Sequence, residues 1–183
     1  LAGQMRSSVM LLGPLLARLG RVETSLPGGC RIGKRPVDLH IRGLTELGAV
    51  VRIEDNRIRA EAPPAGLLGA EIHLPYPSVG ATENILMAAA GARGETVLVG
   101  AAREPEIGIL CSFLKAMGVS VEGAGSSVIR VRGTGSFRDS RFSLPGDRIV
   151  AGTYLGAVLC AGGHVLLEQA PAEHMGKTLW TAK

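Results

Sequence analysis

The sequence predicts a mixed α/β protein, of the α+β kind in its chain order, assembled from repeated βαβαββ units. Three observations carry that prediction. Apolar helical stretches recur with hydroxyl residues at their openings, Ser8, Thr82 and Thr153, separated by 74 and 71 residues. An element of helix, glycine and strand recurs at nearly the same interval, its glycines Gly48 and Gly118 standing 70 residues apart. A hairpin follows each of those elements. A unit of this size exceeds a solenoid repeat, so a few compact units are expected to pack together, with helices inside and sheets outside or the reverse.

Taken in order, Arg6-Ser7-Ser8-Val9 opens the first apolar helix, which ends near Gly20. Pro14 within it predicts a kink, made tolerable by Gly13. Val22–Leu26 reads as a strand before a Pro/Gly loop. Leu44–Val51 reads as helix, glycine C-cap and strand, and the hairpin turns at Asp55-Asn56 to return through Ile58–Ala60. In the second unit Gly80–Glu83 opens a helix, Thr96–Val99 is the strand, and a loop surrounds Arg103–Glu106. Phe113–Ser120 repeats the capped element, and a turn over 123–127 leads back through Val128–Val131. A third unit begins with a helix opened by Ala151–Tyr154, then a strand at His164–Leu167 and a loop at Pro171.

Composition narrows the function classes. A chain of 183 residues with 46% apolar content and mean hydropathy +0.25 can bury a real core. Aromatics make up 3% against 26 glycines, which argues against a base-stacking nucleic-acid platform. The formal charge of +4 suits an anionic ligand and equally an ordinary basic surface. Cys30, Cys111 and Cys160 form neither a disulfide framework nor a metal spacing, and a reducing cytoplasm fits them. The apolar runs Val9–Leu19 and Tyr154–Leu167 fall short of the roughly 20 residues a membrane span needs. The start at Leu1 and the stop at Lys183 inside a helical pattern are read as an internal fragment.

The chemistry concentrates between Leu26 and Ile41. Leu26-Pro27-Gly28-Gly29-Cys30-Arg31-Ile32-Gly33-Lys34-Arg35-Pro36 sets one thiol in a glycine-rich loop among three cations. Neighbouring positive charge stabilises a thiolate, so Cys30 is the candidate reactive cysteine; Cys111 and Cys160, in apolar helical settings, read as fillers. The run Gly28–Lys34 matches G-x-x-x-x-G-K, yet Arg35 stands where a phosphate-binding loop needs Ser or Thr for magnesium, and Pro36 would stop the following helix. A nucleotide triphosphatase is set aside on that ground.

Four stretches together carry a resemblance. They are Gln4–Ser8 with Arg6, Leu26–His40 with its Pro-Gly-Gly-Cys, Ser78-Val79-Gly80-Ala81-Thr82, and Ala101–Ile107 with Arg103-Glu104-Pro105-Glu106. The chain resembles the UDP-N-acetylglucosamine enolpyruvyl transferases, also called 1-carboxyvinyltransferases, over nearly its whole length. The resemblance implies transfer of the enolpyruvyl group of phosphoenolpyruvate to the sugar 3-hydroxyl of UDP-N-acetylglucosamine with release of phosphate. That reaction is the first committed step of peptidoglycan synthesis, and so bears on cell-wall biogenesis, cell shape and division. The implied enzyme is cytoplasmic and monomeric at full length, needs no metal and no cofactor, and has neither nucleic-acid nor membrane partners. Its fold would be an inside-out α/β barrel of βαβαββ repeats, here truncated at both ends. Residues 1–145 would be most of the catalytic-loop and UDP-sugar domain, and 146–183 the start of a second. The shikimate-pathway enolpyruvyl transferases share fold and reaction type but lack the Pro-Gly-Gly-Cys loop, and a non-catalytic uridine-nucleotide module is the remaining alternative.

Residue by residue, the resemblance makes Cys30 the proton donor to the methylene carbon of phosphoenolpyruvate, able also to form a covalent adduct and to react with fosfomycin. Arg6 and Arg35 become phosphate contacts, the planar guanidinium being suited to a dianion. Arg35, Pro36, Val37, Asp38 and Leu39 lie along the nucleotide, with Asp38 and His40 near the uracil or its ribose. Read without the resemblance, Asp38 is a helix N-cap and His40 a surface residue. Tyr76, Pro77, Ser78, Val79 and Gly80 form the loop that meets the diphosphate at a helix N-terminus, with Tyr76 where the family often has Lys. Arg103, Glu104 and Glu106 match a motif that holds the architecture near the site. Val150 replaces a usual acid, and no general base for the sugar hydroxyl is found in the chain. The fragment alone is expected to be inactive.

Overall fold

The computed structural model describes residues 5–28, 36–176 and 179, the side chain of Arg6 excepted. The chain divides into two compact units, 1–141 and 142–183. The first begins with a 3-10 segment, Arg6–Leu11, that passes into helix α1, Leu12–Leu19. Pro14, where the sequence suggests a kink, is the third residue of α1, just after the 3-10 segment ends at Leu11. Within α1 a first-turn residue has no i−4 partner, and the change from 3-10 to α winding falls directly before it. Gly20 closes α1 in the left-handed region, its N–H reaching the Leu16 carbonyl at 2.9 Å.

Strand β1, Arg21–Ser25, follows, then helix α2, Asp38–Glu46, and the hairpin of β2, Val50–Glu54, and β3, Arg57–Glu61. Asp55 and Asn56 both have positive φ at the turn, which matches the twist of a two-residue hairpin. The three strands form an antiparallel sheet ordered β1-β3-β2. The second repeat supplies β4, Glu71–His73, α3, Val79–Ala90, β5, Glu95–Val99, α4, Pro105–Ala116, β6, Ser120–Glu122, and β7, Val128–Arg132. Its sheet is ordered β4-β5-β7-β6, with β4 parallel to β5 and the other pairs antiparallel. The order β5-β7-β6 repeats β1-β3-β2, so the seventy-residue period in the sequence is a true structural repeat.

The choice left open by periodicity is settled by burial in the first unit: its helices lie inside. Ala81, Thr82, Asn84, Ile85, Leu86, Ala88, Ala89 and Ala90 of α3 are all buried, and a helix apolar nearly all round belongs in a core. Small residues let its neighbours come close. A Cβ on Gly13 of α1 would stand 2.2 Å from the Asn84 carbonyl oxygen, and one on Gly43 of α2 would stand 2.3 Å from Ile85. The strands turn alternate side chains outward, as in β3, where Ile58 and Ala60 are buried and Arg57, Arg59 and Glu61 exposed. On that outer face Glu23 bonds Arg57 and, at 3.0 Å, Arg59.

In the second unit α5 spans Arg148–Ala161. It starts three residues before the expected opening at Ala151, because the Asp147 carboxylate accepts the N–H groups of Ile149 and Val150 at 2.7 and 3.0 Å. The strand expected at His164–Leu167 does not form. Gly162 and Gly163 both take positive φ after α5, and no described strand of this unit offers an edge to pair with. Cys160 is exposed on α5, against its reading as a packed filler, whereas Cys111 of α4 is buried.

Candidate nucleotide site at the start of α3

Two of the stretches singled out in the sequence converge on one pocket. Its volume is about 200 Å³, and Val9, Met10, Pro27, Pro36, Val37, His40 and Gly80 line it. Pro36 and Val37 enter α2, His40 lies on that helix's third position, and Gly80 belongs to the first turn of α3. The convergence depends on packing of α2 against α3 and of the 3-10 segment beside α3.

At the start of α3 Ser78 is the N-cap. Its Oγ accepts the Ala81 N–H at 3.4 Å and its carbonyl that of Thr82 at 2.9 Å. The amides of Val79 and Gly80 are the first-turn donors that this cap does not use, and such donors favour an anion. Gly80 lies close against its neighbours. A Cβ there would stand 3.3 Å from His40 Cε1 and 3.5 Å from Met10 Sδ, a contact the side chains would have to ease by a few tenths of an ångström.

His40 is 9% exposed and is therefore no surface residue. Its Nδ1 lies 3.0 Å from Asn84 Nδ2, and burial pushes its pKa below the ordinary value of 6.5, with Asp38 opposing. Asp38 is not the helix N-cap either. Val37 holds that position, and Asp38 is the exposed first residue of α2, where a carboxylate complements the helix dipole. Leu39 is 6% exposed and packs in the core, and Tyr76 and Pro77 are exposed outside the pocket lining. Cys30 and Arg35, with Arg31 and Lys34, lie outside the described residues, as does the Arg6 side chain.

Asn84 is the residue that motif reading missed. Its signal was a lone amide directly before the apolar run Ile85–Ala90, one turn beyond Gly80. Next to it, Thr82 Oγ1 accepts the Ala102 N–H at 3.1 Å and ties down the loop before α4. Glu83 is half-buried, and burial first, then the charge of Glu106, pushes its carboxyl above 4.5. A hollow of about 500 Å³ over β1 and β3 is larger, but its Glu23 and Arg59 already bond each other and no motif residue reaches it. Among the described residues no group of three His, Cys, Asp or Glu could hold a metal, and no helix is long and apolar enough to cross a membrane.

Buried helices under outward-facing sheets of repeated βαβαββ order are the architecture of the enolpyruvyl transferases. The enolpyruvyl transferase NikO from Streptomyces tendae superposes with a TM-score of 0.70 at 23% identity, over 85% of this chain and 37% of that one. EPSP synthase from Acinetobacter baumannii gives 0.64 at 24% identity, over 92% of this chain and 38% of that one. The chain belongs to the EPSP synthase (3-phosphoshikimate 1-carboxyvinyltransferase) family, whose model matches residues 1–181. Within it, a UDP-N-acetylglucosamine 1-carboxyvinyltransferase of Maricaulis maris (strain MCS10) is 52% identical over 182 residues, all of this chain and 43% of the relative. One of Rhodospirillum centenum (strain ATCC 51521 / SW) is 53% identical over 175 residues, 96% of this chain and 40% of the relative. The chain thus spans about 40% of the length of the curated relatives it matches.

Proposed function

We propose that this chain serves the transfer of the enolpyruvyl group from phosphoenolpyruvate to the 3-hydroxyl of UDP-N-acetylglucosamine, with release of phosphate, in peptidoglycan synthesis. The observation that carries the reading is the convergence of Pro36, Val37 and His40 with Gly80 on one pocket at a helix N-terminus. It is supported by relatives about half identical that bear the name of this activity. In this reading the Val79 and Gly80 amides and the α2 entry hold the nucleotide diphosphate. Arg6 and Arg35 neutralise phosphate, and Cys30, activated by Arg31, Lys34 and Arg35, delivers the proton to the methylene carbon. Tyr76 is left without the charge that a Lys would supply there, so the first-turn amides bear more of the anion contact. The unit 1–141 would be the sugar-nucleotide domain and 142–183 would open a second, the protein being cytoplasmic and monomeric.

Calorimetry of the chain separates this from the shikimate-pathway reading. Binding of UDP-N-acetylglucosamine at submillimolar to millimolar concentration is expected, and none of shikimate 3-phosphate. The reverse preference would overturn the proposal.

A further inference from the structure

The buried polar side chain that the apolar pattern of α3 does not explain is Asn84, which is fully buried. Its Oδ1 accepts the Gly13 N–H at 2.7 Å, and its Nδ2 donates to the Val9 carbonyl at 3.0 Å. Those partners settle the orientation of the amide, because a peptide N–H only donates and a peptide carbonyl only accepts. The remaining Nδ2 hydrogen faces His40 Nδ1. An amide NH2 offers no acceptor, so Nδ1 is the acceptor and the ring proton stands on Nε2.

We propose that Asn84 is a positioning residue that holds His40 as a neutral Nε2–H donor at the pocket beside the start of α3, there to meet an acceptor oxygen of a nucleotide diphosphate rather than the uracil or ribose that the resemblance sets beside it. The ligand class rests on the function proposed above; the tautomer rests on geometry alone. Three separate elements meet at this amide: Gly13 comes from α1, Val9 from the 3-10 segment and His40 from α2. Gly13 must be glycine for the approach, since a Cβ would stand 2.5 Å from Asn84 Oδ1. His40 presents its Cε1–Nε2 edge to Gly80, with Nε2 3.5 Å from the place of a Cβ. Protonating Nδ1 would set N–H against N–H, so the network itself resists an imidazolium. Burial acts in the same direction, and Asp38, on the same helix, is the charge that opposes it. Val9, Met10, Pro27, Pro36, Val37 and Gly80 around the ring carry no titratable side chain.

The test is long-range proton–nitrogen NMR on the ¹⁵N-histidine-labelled 183-residue chain. His40 should show a protonated Nε2 and a bare Nδ1, and should stay neutral at pH 6, where a histidine of pKa about 6.5 is roughly three-quarters protonated. An Nδ1–H tautomer, an averaged mixture or an imidazolium at that pH would overturn the proposal. Asn84→Asp replaces the donor by a carboxylate that accepts from Nδ1–H, and the His40 titration should rise by more than about one unit. An unmoved titration in a folded variant would also overturn it. The wild-type spectrum decides the matter should the variant not fold. UDP-N-acetylglucosamine keeps its charge between about pH 6 and 8, so its affinity for the wild-type chain should change less than about twofold across that range. Tightening of about fivefold or more at pH 6 would show a protonated ring and refute the neutral donor. Absence of nucleotide binding alongside the Nε2–H tautomer would overturn the nucleotide reading while supporting the role of Asn84.

Discussion

Cys30 stands in sequence among Gly28, Gly29 and Gly33 and the cations Arg31, Lys34 and Arg35, a setting that favours the thiolate and leaves little core for a filler. As a proton donor to carbon it is replaceable by another acid of accessible pKa. In a polypeptide of the relatives' full length, Cys30→Asp should retain activity, and Cys30→Ser should lose about 10²- to 10⁴-fold. Fosfomycin should label the Cys30 peptide alone, and the Asp variant should be active and resistant together, a carboxylate being a poorer nucleophile. Burial raises the Cys111 pKa and protects that thiol, whereas Cys160 is exposed but has no Lys or Arg within five residues of sequence. Mass spectrometry checks both claims. An adduct on Cys111, or an active Cys30→Ala enzyme, would move the chemistry elsewhere.

At the scale of elements, the three helices α1, α2 and α3 approach as closely as they do because glycines stand at the crossings. Gly13→Ala would drive a methyl into the Asn84 backbone and should cost about 1–3 kcal/mol. Gly108 is a contrast within the same fold. It lies inside α4 with nothing within 4 Å of an added Cβ, so Gly108→Ala should stabilise by about 0.4–1 kcal/mol through lost freedom of the unfolded chain. Urea unfolding of the two variants measures both, and equal signs would refute the packing argument. The glycines that mattered here were visible in the sequence only as glycines. Gly20 and Gly48 could be read as helix caps, since a cap is a local event. Gly13 and Gly43 could not, because what they admit lies on α3, more than forty residues further along the chain.

At the scale of the whole molecule, His40 and Glu83 shape stability against pH with opposite sign. His40 has a folded pKa below 6.5, so the stability it allows is present above 6.5 and lost as the pH falls toward that folded value. Glu83 has a folded pKa above 4.5, so its contribution is present below 4.5 and lost as the pH rises through the folded value. Glu83→Gln should therefore raise Tm relative to the wild type more at pH 7.5 than at pH 4. A gap that is widest at pH 4 would contradict the burial of the ionised carboxylate. Thermal melts at the two pH values are sufficient.

The sequence by itself determined the repeat, the kinds of element, the hairpins at Asp55-Asn56 and after Glu122, and the motifs that mark the family. Those are written in short-range signals: apolar periods of 3.6 and 2, glycines able to take positive φ, and residues adjacent in a loop. Periodicity did not decide whether the helices lie inside, since either face of a two-layer repeat can be read as the core; the tertiary structure puts those of the first unit there. It also decided that His40 is buried rather than exposed. It left His164–Leu167 unpaired, because β-propensity makes a strand only where an edge receives it. The bond from Asn84 to His40 spans 44 residues and that to Val9 spans 75. Hydrogen bonding is specific only once folding has brought its partners within about 3 Å, and no pattern along the chain encodes that distance.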